Sequence, residues 1–418
     1  MKNKLPETEG LTSAKNESGV SIRMNGGHVA AVKLNIFEPP RFFESFLRGR
    51  RFNEAPDITS RISGISPVAH QISACHAIEN AIGVKVEEPI SELRRLLLCG
   101  EWIKSHAFHI HMVHAPDFLG YPDATTFACN RPAEFERGLR LKKAGNEVVA
   151  LIGGREIHPI NICIGGFYKL PSKSDLASLA EKLKCARDDA IETVRWVSKF
   201  PFSDFERDYE FVALRDPGEE EYSLNEGRIV SNKGLNIALV QYERHFVEEQ
   251  VPHSTALHST LKDRGAYLVG PQARYSLNFD RLSPRIQETA RGAGLGAISR
   301  NPFQSIIVRG VEAVYACEEA LRILEQYETP DKPAAKSETH AGTGYGCAEA
   351  AAGLLYHRYT LDKSGLIMDA KIVSPTSQNQ KTIEDDLRDL IPTKLEASKK
   401  KCDQLVRNYD PGISCAAH

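Results

Sequence analysis

The sequence predicts an α+β fold: one domain over residues 1–418, a central bundle of long helices with small peripheral β-sheets. Three observations carry this. Apolar residues recur at helical spacing through runs of roughly 25 residues, long enough to cross a large core. Two-residue alternation is confined to short stretches at the edges of those runs. No internal repeat or low-complexity linker divides the chain, so one α+β unit is preferred to the two or three domains that length alone would allow.

In chain order, residues 19–37 alternate apolar and polar around Asn25-Gly26-Gly27, the pattern of a β-hairpin. Helical spacing follows in "HQISACHAIENAIG" and then in "ISELRRLLLCGEWIKSHAFHIHMVHA", read as one long helix from about 90 to 115. A second long helix, "SDLASLAEKLKCARDDAIETVRWVSKF", begins after Pro171 and Ser172, with Ser174 or Asp175 as its N-cap. Residues 205–280 read as short strands and turns. A third long helix is "NPFQSIIVRGVEAVYACEEALRILEQY". Residues 328–342 are polar and proline-bearing, an exposed loop. A strand pair with a Lys-Ser-Gly turn and a final helix over about 381–408 complete the chain.

Composition narrows the function. Of the 418 residues, 41% are hydrophobic and 26% charged, and the net charge is −2, which argues against a nucleic-acid groove or a membrane-surface patch. No apolar run reaches the length of a membrane span, and the N-terminus lacks a signal-peptide core, so a cytoplasmic location is expected. The nine cysteines form no CxxC pair, which gives no disulfide framework and no evident zinc or iron–sulfur ligand set within this chain. The lysine run near 399–401 reads as a solvated helix face.

"RISGISPVAH" (61–70) has the outline of a metal-ligand turn, with Ser63 and Ser66 where sulfur would be required. The longer stretch around it, "EPPRFFESFLRGRRFNEAPDITSRISGISPVAHQISACHAIE", resembles the N-terminal signature of the large subunit of nickel–iron hydrogenases. The cytoplasmic, NAD(P)- or sulfur-linked (sulfhydrogenase-like) group is the nearest in pattern. "SHAFHIHMVHAPDFLGYPDA", "GGREIHPINICIGGF", "YLVGPQARYSLNFDRLSP", "GYGCAEAAAGLLYHRY", "IVSPTSQNQ" and "YDPGISCAAH" continue the resemblance over nearly the whole chain. It implies the hydrogenase large-subunit fold.

The resemblance also implies a site, and the site departs from the family pattern. The family holds nickel through RxCGxC and DPCxxCxxH, two of the thiolates bridging to an iron with CO and cyanide. Ser63, Ser66 and Gly412 stand at three of those positions, and Cys415 alone keeps its sulfur. Ala352, in "EAAAG", stands where the family has a pocket arginine. A hydroxyl is a hard, weakly acidic donor, poorly suited to nickel or low-spin iron, and glycine offers no ligand. No Ni–Fe(CN)2CO centre is therefore expected. Glu44 and His418 match the family's ligands to a second ion, usually magnesium, joined by a backbone carbonyl near "SPTSQNQ". Cys415, His70, Asp117, Asp410 and Cys347 are the pocket candidates. The family's proton-relaying N-terminal glutamate matches Lys15 or, with a two-residue gap, Glu17. Most members continue past the terminal histidine into an extension removed after nickel insertion; His418 ends this sequence, as in a gene without the extension or a mature chain.

The resemblance implies partners: an iron–sulfur small subunit, and a flavin and iron–sulfur module handling NAD(P)H. The expected function is a structural and electron-transfer subunit of such a complex that does not activate H2. The alternative is a reductase with replaced chemistry, reducing polysulfide or another small sulfur compound beside Cys415. His106, His109, His111 and His114 crowd one predicted helix and read as satisfied interior histidines rather than a metal site, with the pairs 106/109 and 111/114 on different parts of its surface.

Overall fold

A computed structural model describes residues 8–11, 18–25, 28–218, 221–391 and 399–417. Four long helices form its centre: Glu88–Phe108, Pro132–Gly153, Lys173–Val197 and Ser305–Gln326. Each packs against two of the others, closing a bundle. Glu88–Phe108 and Pro132–Gly153 approach most closely at Gly100 and Gly145. A Cβ added to Gly145 would sit 2.6 Å from the Gly100 carbonyl oxygen, so the backbones nearly touch. Pro132–Gly153 is the bundle helix that the sequence pattern did not single out. Its many charged residues face outward and dilute the apolar spacing.

The predicted long helix over 90–115 is interrupted. It runs as an α-helix over Glu88–Phe108, as a π-helix over His109–His114 and again as an α-helix over Ala115–Leu119. The wider π turn places residues five apart over one another. It therefore brings His109 and His114 together, with ring centroids 5.1 Å apart, a pair that ordinary helical spacing separates. The helix Lys173–Val197 is capped by Ser172, not by Ser174 or Asp175. Ser172 accepts from the Asp175 amide, and the Asp175 side chain closes the capping box. The predicted final helix is observed as two, Pro375–Leu390 and Lys399–Asn408. The predicted hairpin is the antiparallel pair Ser18–Asn25 and His28–Ile36; Gly26 and Gly27 of its turn lie outside the described residues.

A three-stranded antiparallel sheet, Gly342–Ala350, Gly353–Leu361 and Ile367–Val373, flanks the bundle. Its first strand extends the predicted strand pair and begins at the end of the predicted loop. The helix Pro67–Ile82 lies directly on that strand. Gly342, Gly344 and Gly346, spaced by two, face it. A Cβ on them would fall 2.5 Å from the Ala81 carbonyl oxygen, 1.9 Å from that of Ala77 and 2.3 Å from that of Ser73. Only glycine admits so close a helix–strand approach. Among the described residues no helix is long and apolar enough to cross a membrane.

Gly344→Ala is expected to destabilise the chain by about 3 kcal/mol, because backbone rather than a movable side chain meets the new methyl. Gly64→Ala, with nothing within 4 Å, should stay within about 0.5 kcal/mol. Urea unfolding of the two variants against the parent measures both.

Candidate functional site

The Pro67–Ile82 helix carries the site at its N-terminus. Ser66 is the N-cap residue and Pro67 the first helical position, where a missing N–H costs nothing. Ser66 does not cap with its own side chain. Its hydroxyl donates to Ser63 Oγ at 3.0 Å, and Ser63 Oγ also accepts the amides of Ile65 (3.2 Å) and Ser66 (3.0 Å). The free amides of the first helical turn go instead to a carboxylate from the bundle. Glu101 accepts from Val68 at 2.7 Å and from Ala69 at 3.2 Å. Burial pushes the Glu101 carboxyl up to about 7, despite Lys104 and those two amides.

The C-terminal segment closes the other side. Asp410 adopts φ 51°, a left-handed conformation that aspartate tolerates better than most residues. Its carboxylate lies 3.0 Å from His109 Nδ1 and 3.3 Å from Arg309 Nη1. Burial opposes its charge, but those two partners hold its carboxyl well below the usual range. The chain then turns so that the Gly412 amide donates to Thr376 Oγ1 at 3.0 Å. A Cβ on Gly412 would lie 3.2 Å from Cys415 Sγ. Burial raises the Cys415 thiol, while the Ser63 hydroxyl and Arg41 pull it down. Arg41 ties the two sides together: its amide donates to the Ala417 carbonyl at 2.8 Å and its guanidinium to that of Ile62 at 2.7 Å.

Ser63, Ser66, Gly412 and Cys415 therefore converge from opposite ends of the chain. The donors they offer are two hydroxyl oxygens and one thiol. This set does not fit a binuclear centre built on four thiolates. Ala352 sits beside the cluster, sharing with Thr376, Asn379, Tyr409 and Pro411 a narrow cleft that has no room for a water molecule. His70, one turn into the helix, contacts His357 Nε2 at 3.3 Å, and His357 Nδ1 contacts the Tyr359 hydroxyl at 3.0 Å, all three buried.

Two further pocket candidates have partners of their own. Asp117 pairs with Arg407 at 2.6 Å, and the Arg407 carbonyl accepts the Asp410 amide at 3.0 Å. Cys347 packs with Val269, Leu354, Tyr356 and Val373 in a separate apolar cluster, where burial holds its thiol well above the ordinary range. Both follow from strand and helix phase that the motif text does not reveal. Glu44 is half-buried and accepts the Ile372 amide at 2.7 Å; His418, Lys15 and Glu17 lie outside the described residues. The four histidines are buried and partnered one by one: His106 with Glu312 (3.0 Å), His109 with Asp410, His111 with Thr193 (3.2 Å) and His114 with Asn408 (2.7 Å). Glu101, Arg309, His357 and Thr376 were not singled out from sequence. The available signal was a charged residue, Glu101 or Arg309, on a helix otherwise buried on every side.

The sequence matches the model of the nickel-dependent hydrogenase family over residues 41–137. It is 32% identical to the sulfhydrogenase 1 subunit alpha of Pyrococcus furiosus over 98% of this chain and 96% of that protein. It is 30% identical to the sulfhydrogenase 2 subunit alpha of the same organism over 99% and 98%. The fold superposes on a crystal structure of an NAD+-reducing [NiFe]-hydrogenase in the H2-reduced state, with a TM-score of 0.90 at 23% identity, covering 99% of this chain and 100% of that one.

Glu101 gives the site a pH signature. Its carboxyl is at about 7 in the fold against 4.5 unfolded, so the native state holds the proton more tightly. Its contribution to stability is expected to fall as pH rises from 4.5 to 7 and to be level above that. Glu101→Gln should flatten this slope, measured by urea unfolding across that window.

Proposed function

The chain belongs to the nickel-dependent hydrogenase large-subunit family, and from that premise we propose that it is a subunit of an oxidoreductase complex that does not itself activate H2. The supporting observation is the donor set at the four converging positions: Ser63, Ser66, Gly412 and Cys415. One thiol cannot anchor a binuclear nickel–iron site. Its role is then structural, holding an iron–sulfur small subunit and, through it, a flavin and iron–sulfur module that handles NAD(P)H. Glu44 and His418 are carried as a magnesium site on the family pattern.

An exposed apolar face beside the cluster fits the docking of the small subunit. Ile157 and Ile160 are 55% and 53% exposed, Tyr168 68% and Ile65 48%. The His158 ring holds this loop to the Ser60 carbonyl at 2.8 Å, next to the Ser63–Ser66 turn. The raised Cys415 thiol is mostly protonated at neutral pH and a weak nucleophile. That favours the scaffold role over a polysulfide reductase.

The complex purified with its native partners is expected to carry far less than one nickel per large subunit and no infrared bands of bound CO or cyanide. Nickel near one per subunit, or those bands, would overturn the proposal. Tyr168→Arg combined with Ile157→Arg should reduce co-purification of the small subunit at least tenfold. Because both side chains are exposed, the melting temperature of the isolated chain should stay unchanged.

A further inference from the structure

Two histidines and a glutamate not named so far form a cluster whose side chains could ligate a metal. His253 is in the connection after the strand Phe246–Glu249, His258 opens the strand His258–Leu261, and Glu384 is on the helix Pro375–Leu390. His253 Nε2 is 2.8 Å from Glu384 Oε1, and His258 Nε2 is 4.0 Å from the same oxygen. One ligand atom from each residue lies within 4.8 Å of the other two. The imidazole planes stand at 89°, so the rings approach a common point from different directions. Ligand atoms around a tetrahedral ion with bonds of about 2.0–2.1 Å are about 3.4 Å apart. The observed separations straddle that value, and side-chain rotations of about 1 Å would equalise them.

His258 makes the cluster more than an ion pair. It is 5% exposed, and its Nε2, the atom facing Glu384, has no hydrogen-bond partner among the described residues. A buried imidazole nitrogen left over in this way is costly, and a metal would satisfy it. Lys381, on the same helix as Glu384, is paired with Asp385.

The surroundings hold the three groups in place. Glu384 Oε1 also accepts the Leu34 amide at 2.9 Å, which fixes the carboxylate. Gln380, one helical turn earlier, accepts from Ser254 Oγ at 3.0 Å and donates to the Leu257 carbonyl at 2.9 Å. Both ends of the segment between the two histidines are thereby anchored to the glutamate's helix.

We propose that His253, His258 and Glu384 bind a divalent transition metal of the zinc class, through two imidazole nitrogens and one carboxylate oxygen, with water in the fourth position. The ion clips the segment from Phe246 to Leu261 to the Pro375–Leu390 helix. The first turn of that helix carries Thr376, which holds the Gly412 amide. The mixed nitrogen and oxygen set suits zinc; magnesium prefers six oxygens.

The test uses the full-length chain, stripped with a chelator and titrated with zinc by calorimetry, with bound metal counted by mass spectrometry. One zinc per chain is expected, together with a raised melting temperature. His258→Gln should weaken binding at least 100-fold, Cys415→Ser should leave it unchanged, and magnesium at the same concentration should give no binding at this cluster. Absence of stoichiometric zinc, or zinc bound with unchanged affinity and stoichiometry when His253→Gln and His258→Gln are combined, would overturn the proposal. So would binding lost in Cys415→Ser alone. If the glutamine variants fail to fold, cobalt(II) in the unmodified chain decides: intense visible bands of a four-coordinate ion support the site, and the weak spectrum of six-coordinate cobalt overturns it.

Discussion

The distance between the Pro67–Ile82 helix and the Gly342–Ala350 strand sets the geometry of everything around the cluster. A helix ordinarily rests on a sheet through a layer of side chains, about 10 Å away. Here three glycines on one face of the strand remove that layer, and helical carbonyls approach the strand backbone itself. The helix N-terminus, with Ser63 and Ser66 before it, is thereby held against the sheet. The second strand of the same sheet brings His357 within reach of His70. The turn at its end carries Ala352 to the edge of the cluster. One close approach thus positions three of the segments that meet there.

Behind that contact lies a buried network of charge. Arg274 donates to Glu312 at 2.9 and 2.8 Å, to Glu349 at 3.0 Å, and to the carbonyls of Ala350 and Ala351 at 2.6 and 2.9 Å. Its guanidinium also stacks over Trp102 at 4.4 Å. Taking such groups out of water costs several kcal/mol per ion, offset only when each polar atom is partnered. Here one guanidinium serves two carboxylates that titrate apart. Against burial, Arg274 and His106 hold Glu312 down to about 2, whereas burial raises Glu349. His106 is pushed down to about 4 by burial and stays neutral. Through the Ala350 and Ala351 carbonyls the network fixes the turn that ends at Ala352. A side chain that reaches this turn inherits a rigid base.

The parts legible in sequence were those written in local periodicity or capping chemistry. Three of the four bundle helices and the strand pair 353–373 show their period directly. The π segment does not, because five-residue spacing is read only after the helix is known to widen; His109 and His114 looked like members of separate pairs for that reason. The glycines of "GTGYG" announce a close approach but not its partner, which lies some 270 residues away in sequence. Among the site residues, Ser63, Ser66, Gly412 and Cys415 were found by motif position and do converge. Asp117, chosen by motif position too, pairs with Arg407, a partner the motif does not name, since a motif fixes a place on the chain and not which neighbour reaches the side chain first. His253 and His258 carried no motif at all. Their meeting with Glu384 depends on how a short strand pair docks on a distant helix, which is tertiary information.

The turn at Ser63–Ser66 is held by contacts of the chain's own. In a site built on thiolates, a metal ion would tie this turn to the C-terminal segment. In this chain the turn is closed from within. Ser63 Oγ gathers two amides and a hydroxyl, and Glu101 takes the amides of the following helical turn. The C-terminal segment is closed in the same manner, by Thr376 on the Gly412 amide and by His109 and Arg309 on Asp410. Arg41 bridges the two halves through backbone carbonyls and amides, bonds indifferent to which side chains stand at 63, 66 and 412. The Ser66 hydroxyl and the Gly412 amide thus both find acceptors within the chain. Hydrogen bonding within the chain therefore holds the turn and the C-terminal segment together at the cluster.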